Sequence, residues 1–154
     1  NKTIIMKIYF AGYIRGGRDN VEVYSQLIEH LRKYGEVLTE HVGDRNLSLN
    51  GEDGLEDIYI HNRDMEWLGQ SNVVVADVTT TSTGVGYEIG RIVERNKWVF
   101  SEISRKPILC LYRAGDNGRL SAMVNGSDGV RNAKYKDVEE AKKAIDDFFS
   151  EIKR

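Results

Sequence analysis

Residues 72–78 read NVVVADV, with Val73, Val74, Val75 and Ala76 apolar in unbroken succession. A strand wet on one face alternates apolar and polar residues. This one does not, so both of its faces must be covered. The β-branched valines suit an extended backbone. IIMKIYFAG at 4–12 and PILCLYR at 107–113 have the same character, and EVLTEHV at 36–42 reads as a shorter strand. Helical spacing fills the gaps. Val21, Tyr24, Leu27, Ile28 and Leu31 share one face over 21–35, with Gly35 as the expected C-cap. Residues 55–69 place Ile60, Trp67 and Leu68 inward, a further helix runs from about 85 to 96, and Val138, Ala141, Ile145 and Phe148–Phe149 repeat near the C-terminus. LSAMVNG begins another short element. Strands alternating with helices imply an α/β fold, a parallel sheet with helices on both faces.

The 154-residue length suits one domain with a sizeable core. A net charge of −2 gives no sign of a nucleic-acid partner, and no apolar run is long enough for a membrane span. Cys110 is the sole cysteine, which excludes an internal disulfide and suits a reducing, cytoplasmic or nuclear setting. Its place in a strand points to core packing.

In a parallel sheet of this kind ligands bind beyond the carboxyl ends of the strands. After the first strand come Gly12, Tyr13, Ile14, Arg15, Gly16, Gly17 and Arg18. Glycines let backbone N–H groups approach an anion and the arginines supply charge. A glycine turn with two solvated arginines is the plainer alternative, and neither the P-loop nor the dinucleotide fingerprint is present. After the third strand, Thr79–Thr83 precede Gly84, and these hydroxyls serve either an anion or a helix N-cap. Glu88 follows, beside the apolar stripe Val85, Ile89, Ile92 and Val93. It is either an acid placed at the helix start by the dipole or a functional carboxylate. Asp64 shares a helix face with Ile60, Trp67 and Leu68, as a salt-bridge partner or as a second functional acid. Two such carboxylates beside an anion site are what glycoside cleavage requires. Tyr9 near the end of the first strand and His41 at the end of the second are weaker candidates. No metal-ligand spacing and no Ser-His-Asp arrangement is found.

Taken together, IYFAGYIRGGR, VLTEHV, IHNRDMEWL, VVVADVT..S.GVGYEIGR, KPILCLYR and LSAM resemble the 2′-deoxynucleoside 5′-monophosphate N-glycosidases of the nucleoside 2-deoxyribosyltransferase superfamily. The resemblance implies a flavodoxin-like, Rossmannoid five-stranded parallel sheet, a homodimer, no cofactor, and cleavage between base and deoxyribose 5-phosphate. By motif it implies Glu88 as nucleophile, Asp64 as the acid assisting base departure, and Tyr9 as the group orienting nucleophile and sugar. Gly12–Arg18, Ser82, Gly84 and Ser121 with Ala122 and Met123 are the implied phosphate site, Ser121 reaching in from the partner subunit. His41 is implied to line the substrate pocket. Three features depart from the family pattern: Tyr13 stands where a serine is usual, 96–106 is longer, and Asn125 replaces a common arginine. Rival readings are a deoxyribosyltransferase, a CMP-type ribonucleotide N-glycosidase and a non-catalytic nucleotide sensor.

Overall fold

The structure, a computed structural model, describes residues 4–13, 20–43, 52, 54–113, 115 and 119–152, without the side chains of Glu40 and His41. Five strands form one sheet: β1 (Lys7–Ala11), β2 (Glu36–Val37), β3 (Val73–Asp77), β4 (Ile108–Arg113) and β5 (Arg131–Tyr135). Their order is β2-β1-β3-β4-β5 and every pairing is parallel. This is the flavodoxin-like order, and the α/β class expected from the sequence is what the chain adopts. The helices are α1 (Val21–Leu31), α2 (Asp57–Gln70), α3 (Thr83–Trp98), α4 (Ala122–Asn125) and α5 (Val138–Ile152).

Strand alternation sorts the core into two layers. Ile8, Phe10, Val73, Val75, Leu109 and Leu111 pack with Tyr24, Leu27 and Leu31 of α1 and Ala141, Ile145 and Phe148 of α5. Tyr9, Ala11, Val74, Ala76, Ile108 and Cys110 pack on the other face with Leu68 of α2 and Val85, Ile89 and Ile92 of α3. Cys110 is fully buried, in keeping with a packing role. This parity sends Tyr9 toward α2 and α3, where Asp64 and Glu88 reside, and Asp77 toward α1 and α5.

Three expectations are corrected. The helix over 21–35 stops at Leu31, and Gly35 is not its C-cap. Gly35 instead lies against β1, where a Cβ would sit 2.1 Å from the Met6 carbonyl oxygen, the oxygen that accepts the Glu36 N–H at 2.8 Å. Gly35→Ala is therefore expected to cost about 2–3 kcal/mol or more of unfolding free energy in urea melts, because relief requires moving backbone. A loss under about 0.5 kcal/mol would contradict this account.

The strand expected over 36–42 ends at Val37, and a 3₁₀ turn follows at Glu40–Gly43. The buried Thr39 side chain takes over the ladder there: its Oγ1 donates to the Phe10 carbonyl at 2.6 Å and accepts the Phe10 N–H at 2.8 Å. His41 thus lies in a turn and not on a strand. Finally, α3 starts at Thr83, two residues earlier than its periodicity suggested, because Ser82 caps it by accepting the Val85 N–H at 3.3 Å. β5 lies at the sheet edge, is only partly buried, and has no apolar run to announce it.

The long segment after α3 is clipped at its base. Asn96 accepts the Lys106 N–H and donates to its carbonyl, both at 2.9 Å. Buried Lys106 donates to the Gly69 carbonyl at 2.9 Å and to that of Ser71, closing the C-terminal end of α2.

Candidate active site

The carboxyl end of β1, the N-terminal half of α2 and the start of α3 enclose a cleft of about 480 Å³. It lies at the switch point of the sheet, where β1 has β2 on one side and β3 on the other. Seven of the residues that the resemblance assigned to the site line it: Tyr9, Gly12, Tyr13, Asp64, Ser82, Gly84 and Glu88. Each arrives by a different local cause. β1 parity delivers Tyr9. Gly12 presses on Tyr24 so closely that a Cβ would meet its ring at 2.7 Å, and the Tyr13 N–H donates to the Tyr24 hydroxyl at 3.2 Å. Gly84 and Glu88 are four residues apart on α3, hence on one face, and the missing side chain at Gly84 keeps the space beside Glu88 open.

Because α3 begins at Thr83, Glu88 falls in its second turn. The helix dipole, which acts within the first turn, does not account for a carboxylate there. Burial pushes the Glu88 carboxyl up to about 7; a hydrogen bond from Tyr9 works against this, and the charge of Asp64 adds to it. The Tyr9 hydroxyl is itself pushed far up, first by burial and then by Glu88 and Asp64, so it stays a donor. Glu88 Oε2 is buried and has no hydrogen-bond partner among the described residues. A buried oxygen without a partner costs free energy and calls for a functional explanation.

Asp64 combines both of its readings. It faces the cleft and is also half of an ion pair: Arg63 donates from Nε and Nη2 to Asp64 Oδ1 at 3.0 and 2.9 Å. Arg63 Nη2 also reaches Glu52 Oε2 at 2.7 Å. Glu52, Thr39 and Ile60 line the cleft as well, although none was a site candidate. The inward face of α2 could have suggested Ile60. Glu52 sits in a polar loop segment that carries no periodic signal.

Other expectations resolve differently. Ile14, Arg15, Gly16, Gly17 and Arg18, and the His41 side chain, lie outside the described residues. Ser121, Ala122 and Met123 are exposed and do not line the cleft of their own chain. Among the five hydroxyl residues before Gly84, Thr81, Ser82 and Thr83 line the cleft. Thr79 is buried beneath, its N–H donating to Asp77 Oδ1 at 3.0 Å and its Oγ1 accepting the Arg113 N–H at 2.9 Å. Nothing in the apolar run had marked Asp77, which is 1% exposed and takes a 2.6 Å hydrogen bond from the Tyr135 hydroxyl. Among the described residues no group of three His, Cys, Asp or Glu is placed to hold a metal, and no helix is long and apolar enough to cross a membrane.

Residues 8–128 match the family model described as nucleoside 2-deoxyribosyltransferase. A 5-hydroxymethyl-dUMP N-hydrolase of Tetraodon nigroviridis is 45% identical over 151 residues, covering 96% of this chain and 100% of that protein. The enzyme of the same name from Esox lucius is 49% identical over 141 residues, with 87% and 91% coverage. Among solved structures, a CMP N-glycosidase of Clostridium botulinum superposes with a TM-score of 0.64 over 92% of this chain and 98% of that one, at 16% identity. A 2-deoxyribosyltransferase of Bacillus psychrosaccharolyticus gives 0.56 at 17% identity, over 88% and 90%. At such identities these two likenesses speak for the fold alone.

Proposed function

We propose, because this chain belongs to the nucleoside 2-deoxyribosyltransferase family, that it hydrolyses the N-glycosidic bond of 2′-deoxynucleoside 5′-monophosphates, giving free base and 2-deoxyribose 5-phosphate. The observation that carries the reading is the buried, unpartnered Oε2 of Glu88, opening on a cleft shared with Asp64. Glu88 Oε2 attacks the anomeric carbon as the C–N bond breaks through an oxocarbenium-like state. Asp64 in its protonated form, or a water that its carboxylate holds, gives the proton that the departing base takes up. Water then attacks the same carbon, the glutamyl ester bond breaks, and the sugar phosphate leaves. The Tyr9 hydroxyl holds the other carboxylate oxygen and so aims Oε2. Ser82, the Gly12–Arg18 turn and Ser121 of a partner subunit grip the 5′-phosphate. Contacts to this remote group supply orientation energy at the reacting carbon. The relatives named for 5-hydroxymethyl-dUMP support a monophosphate with a substituted pyrimidine as the first substrate to try. A cytoplasmic or nuclear homodimer is part of the same reading.

The test is incubation with a panel of deoxynucleotides, ribonucleotides and nucleosides, 5-hydroxymethyl-dUMP included, followed by chromatography of released bases. Free base is expected from deoxynucleoside monophosphates and not from nucleosides. Addition of a second free base should yield no new nucleotide or nucleoside. Base exchange in place of net hydrolysis would transfer the chain to the transferase reading.

The shared phosphate site makes its own prediction. Ser121 and Met123 are exposed on their own chain, Met123 at 85%, which supports a role across an interface. Ser121→Ala is expected to weaken monophosphate use by about tenfold, the scale of one hydrogen bond to a charged group. Mixing Ser121→Ala with Glu88→Gln chains should restore part of the activity, since one site of each mixed dimer carries neither change. No recovery in dimers shown to be mixed would remove Ser121 from the partner's site.

A further inference from the structure

Arg63 stands next to Asp64 in α2 and has no part in the scheme above. Its guanidinium lies 4.8 Å from the centre of the Trp67 ring and 5.9 Å from that of Tyr59. It donates from Nε and Nη2 to Asp64 Oδ1 and from Nη2 to Glu52 Oε2. The side chains of Arg63, Glu52 and Asp64 are 16%, 9% and 21% exposed, so the cluster is largely withdrawn from water. Ion pairs on an open surface contribute little. In a shielded cluster, charge-assisted bonds of good geometry are stronger, and the loss of one partner leaves a poorly solvated charge. Glu52 and Asp64 also line the same cleft, from two separate segments of the chain. A single guanidinium therefore joins a loop on the cleft wall to the carboxyl beside Glu88.

We infer that Arg63 is a positioning residue: it orients the Asp64 carboxyl toward the leaving base and, through Glu52, locks that orientation to the cleft wall. The inference rests on the reading of Asp64 as the group that serves the departing base. Two N–H donors on Oδ1 restrict rotation of the carboxyl and aim its other oxygen. Glu52 and Asp64 share this one guanidinium, so removal of Arg63 breaks both ion pairs at once. Lysine, a single point charge on a flexible stem, cannot reproduce the fork.

The test compares Arg63→Gln, Arg63→Lys, Glu52→Gln and Asp64→Asn on monophosphates with good and poor leaving bases, with kcat and KM measured separately. Arg63→Gln is expected to lower kcat about 30-fold on a poor leaving base and less than about threefold on a good one, with KM within about threefold, because proton assistance matters most when the leaving group is poor. Arg63→Lys should recover part of the loss. Glu52→Gln should shift kcat in the same direction, and adding it to Arg63→Gln should cost little more, as expected of residues that act as a unit. Equal losses on both substrate types, or unchanged kcat, would overturn the inference. If Asp64→Asn shows the leaving-group dependence and Arg63→Gln does not, positioning alone fails. If Asp64→Asn lacks it, the reading of Asp64 fails and the inference goes with it. Should Arg63→Gln prove unfolded by circular dichroism, Glu52→Gln, which leaves α2 intact, decides by the same comparison.

Discussion

Glu88→Gln is expected to lower turnover by at least ~10³-fold, about 4 kcal/mol of barrier, while nucleotide binding persists. The substitution keeps shape and the Tyr9 contact but removes the nucleophilic charge. Single-turnover base release, with binding measured separately, gives the two quantities. A variant retaining a tenth of the wild-type rate would take the nucleophile role from Glu88. The same change should stabilise the fold, and only at higher pH. The carboxyl moves from 4.5 to about 7 in the folded chain. Below its unfolded value it is protonated in both states and costs nothing. Between 4.5 and about 7 the unfolded chain releases this proton while the folded chain holds it, so the cost builds over that range and is complete above about 7. Glu88→Gln should therefore gain roughly 2–3 kcal/mol over wild type at pH 8 and nothing near pH 4, read from urea melts. Wild-type kcat/KM should climb with pH toward a plateau above about 7, as Glu88 ionises in the free enzyme. Opposite effects of one substitution on rate and stability are the signature of a site held at a cost to the fold.

Asp77→Ala should be the most damaging change away from the cleft. Asp77 sits at the carboxyl end of β3, 1% exposed, on the α1 and α5 side of the sheet. Burial pushes its carboxyl up, while bonds from Tyr135 and Thr79 and the charge of Arg113 draw it back. Removing it strands a buried phenol and a buried backbone N–H that now have an acceptor at 2.6 and 3.0 Å. The expected loss is about 3–5 kcal/mol, the scale for breaking a shielded charge network. Asp77→Asn keeps one carbonyl oxygen but turns an N–H₂ toward donors, so it should recover only part. Urea denaturation measures both variants. If Asp77→Ala unfolds within about 0.5 kcal/mol of wild type, the network does not hold the end of β3.

Much of this protein is decided by local pattern. The unbroken valines of 73–75 could only be a strand covered on both sides, and the 3.6-residue repeats of 21–31 and 138–149 could only be surface helices with one apolar stripe. The α/β class follows from their alternation, and the placing of a cleft beyond β1 and β3 from the topology that the class allows. That Tyr9, Asp64 and Glu88 line one cleft could be anticipated because each breaks or borders an apolar pattern at the carboxyl end of the sheet. What depends on contacts distant in sequence was not legible. Thr39 ends β2 by bonding Phe10, 29 residues away; Asp77 meets Tyr135 across 58 residues; and Arg63 ties Asp64 to Glu52 in a loop without periodicity. Sequence period reports which face of an element is apolar. Which polar atoms meet is set by how the elements stack, and the stacking exists only in the folded chain.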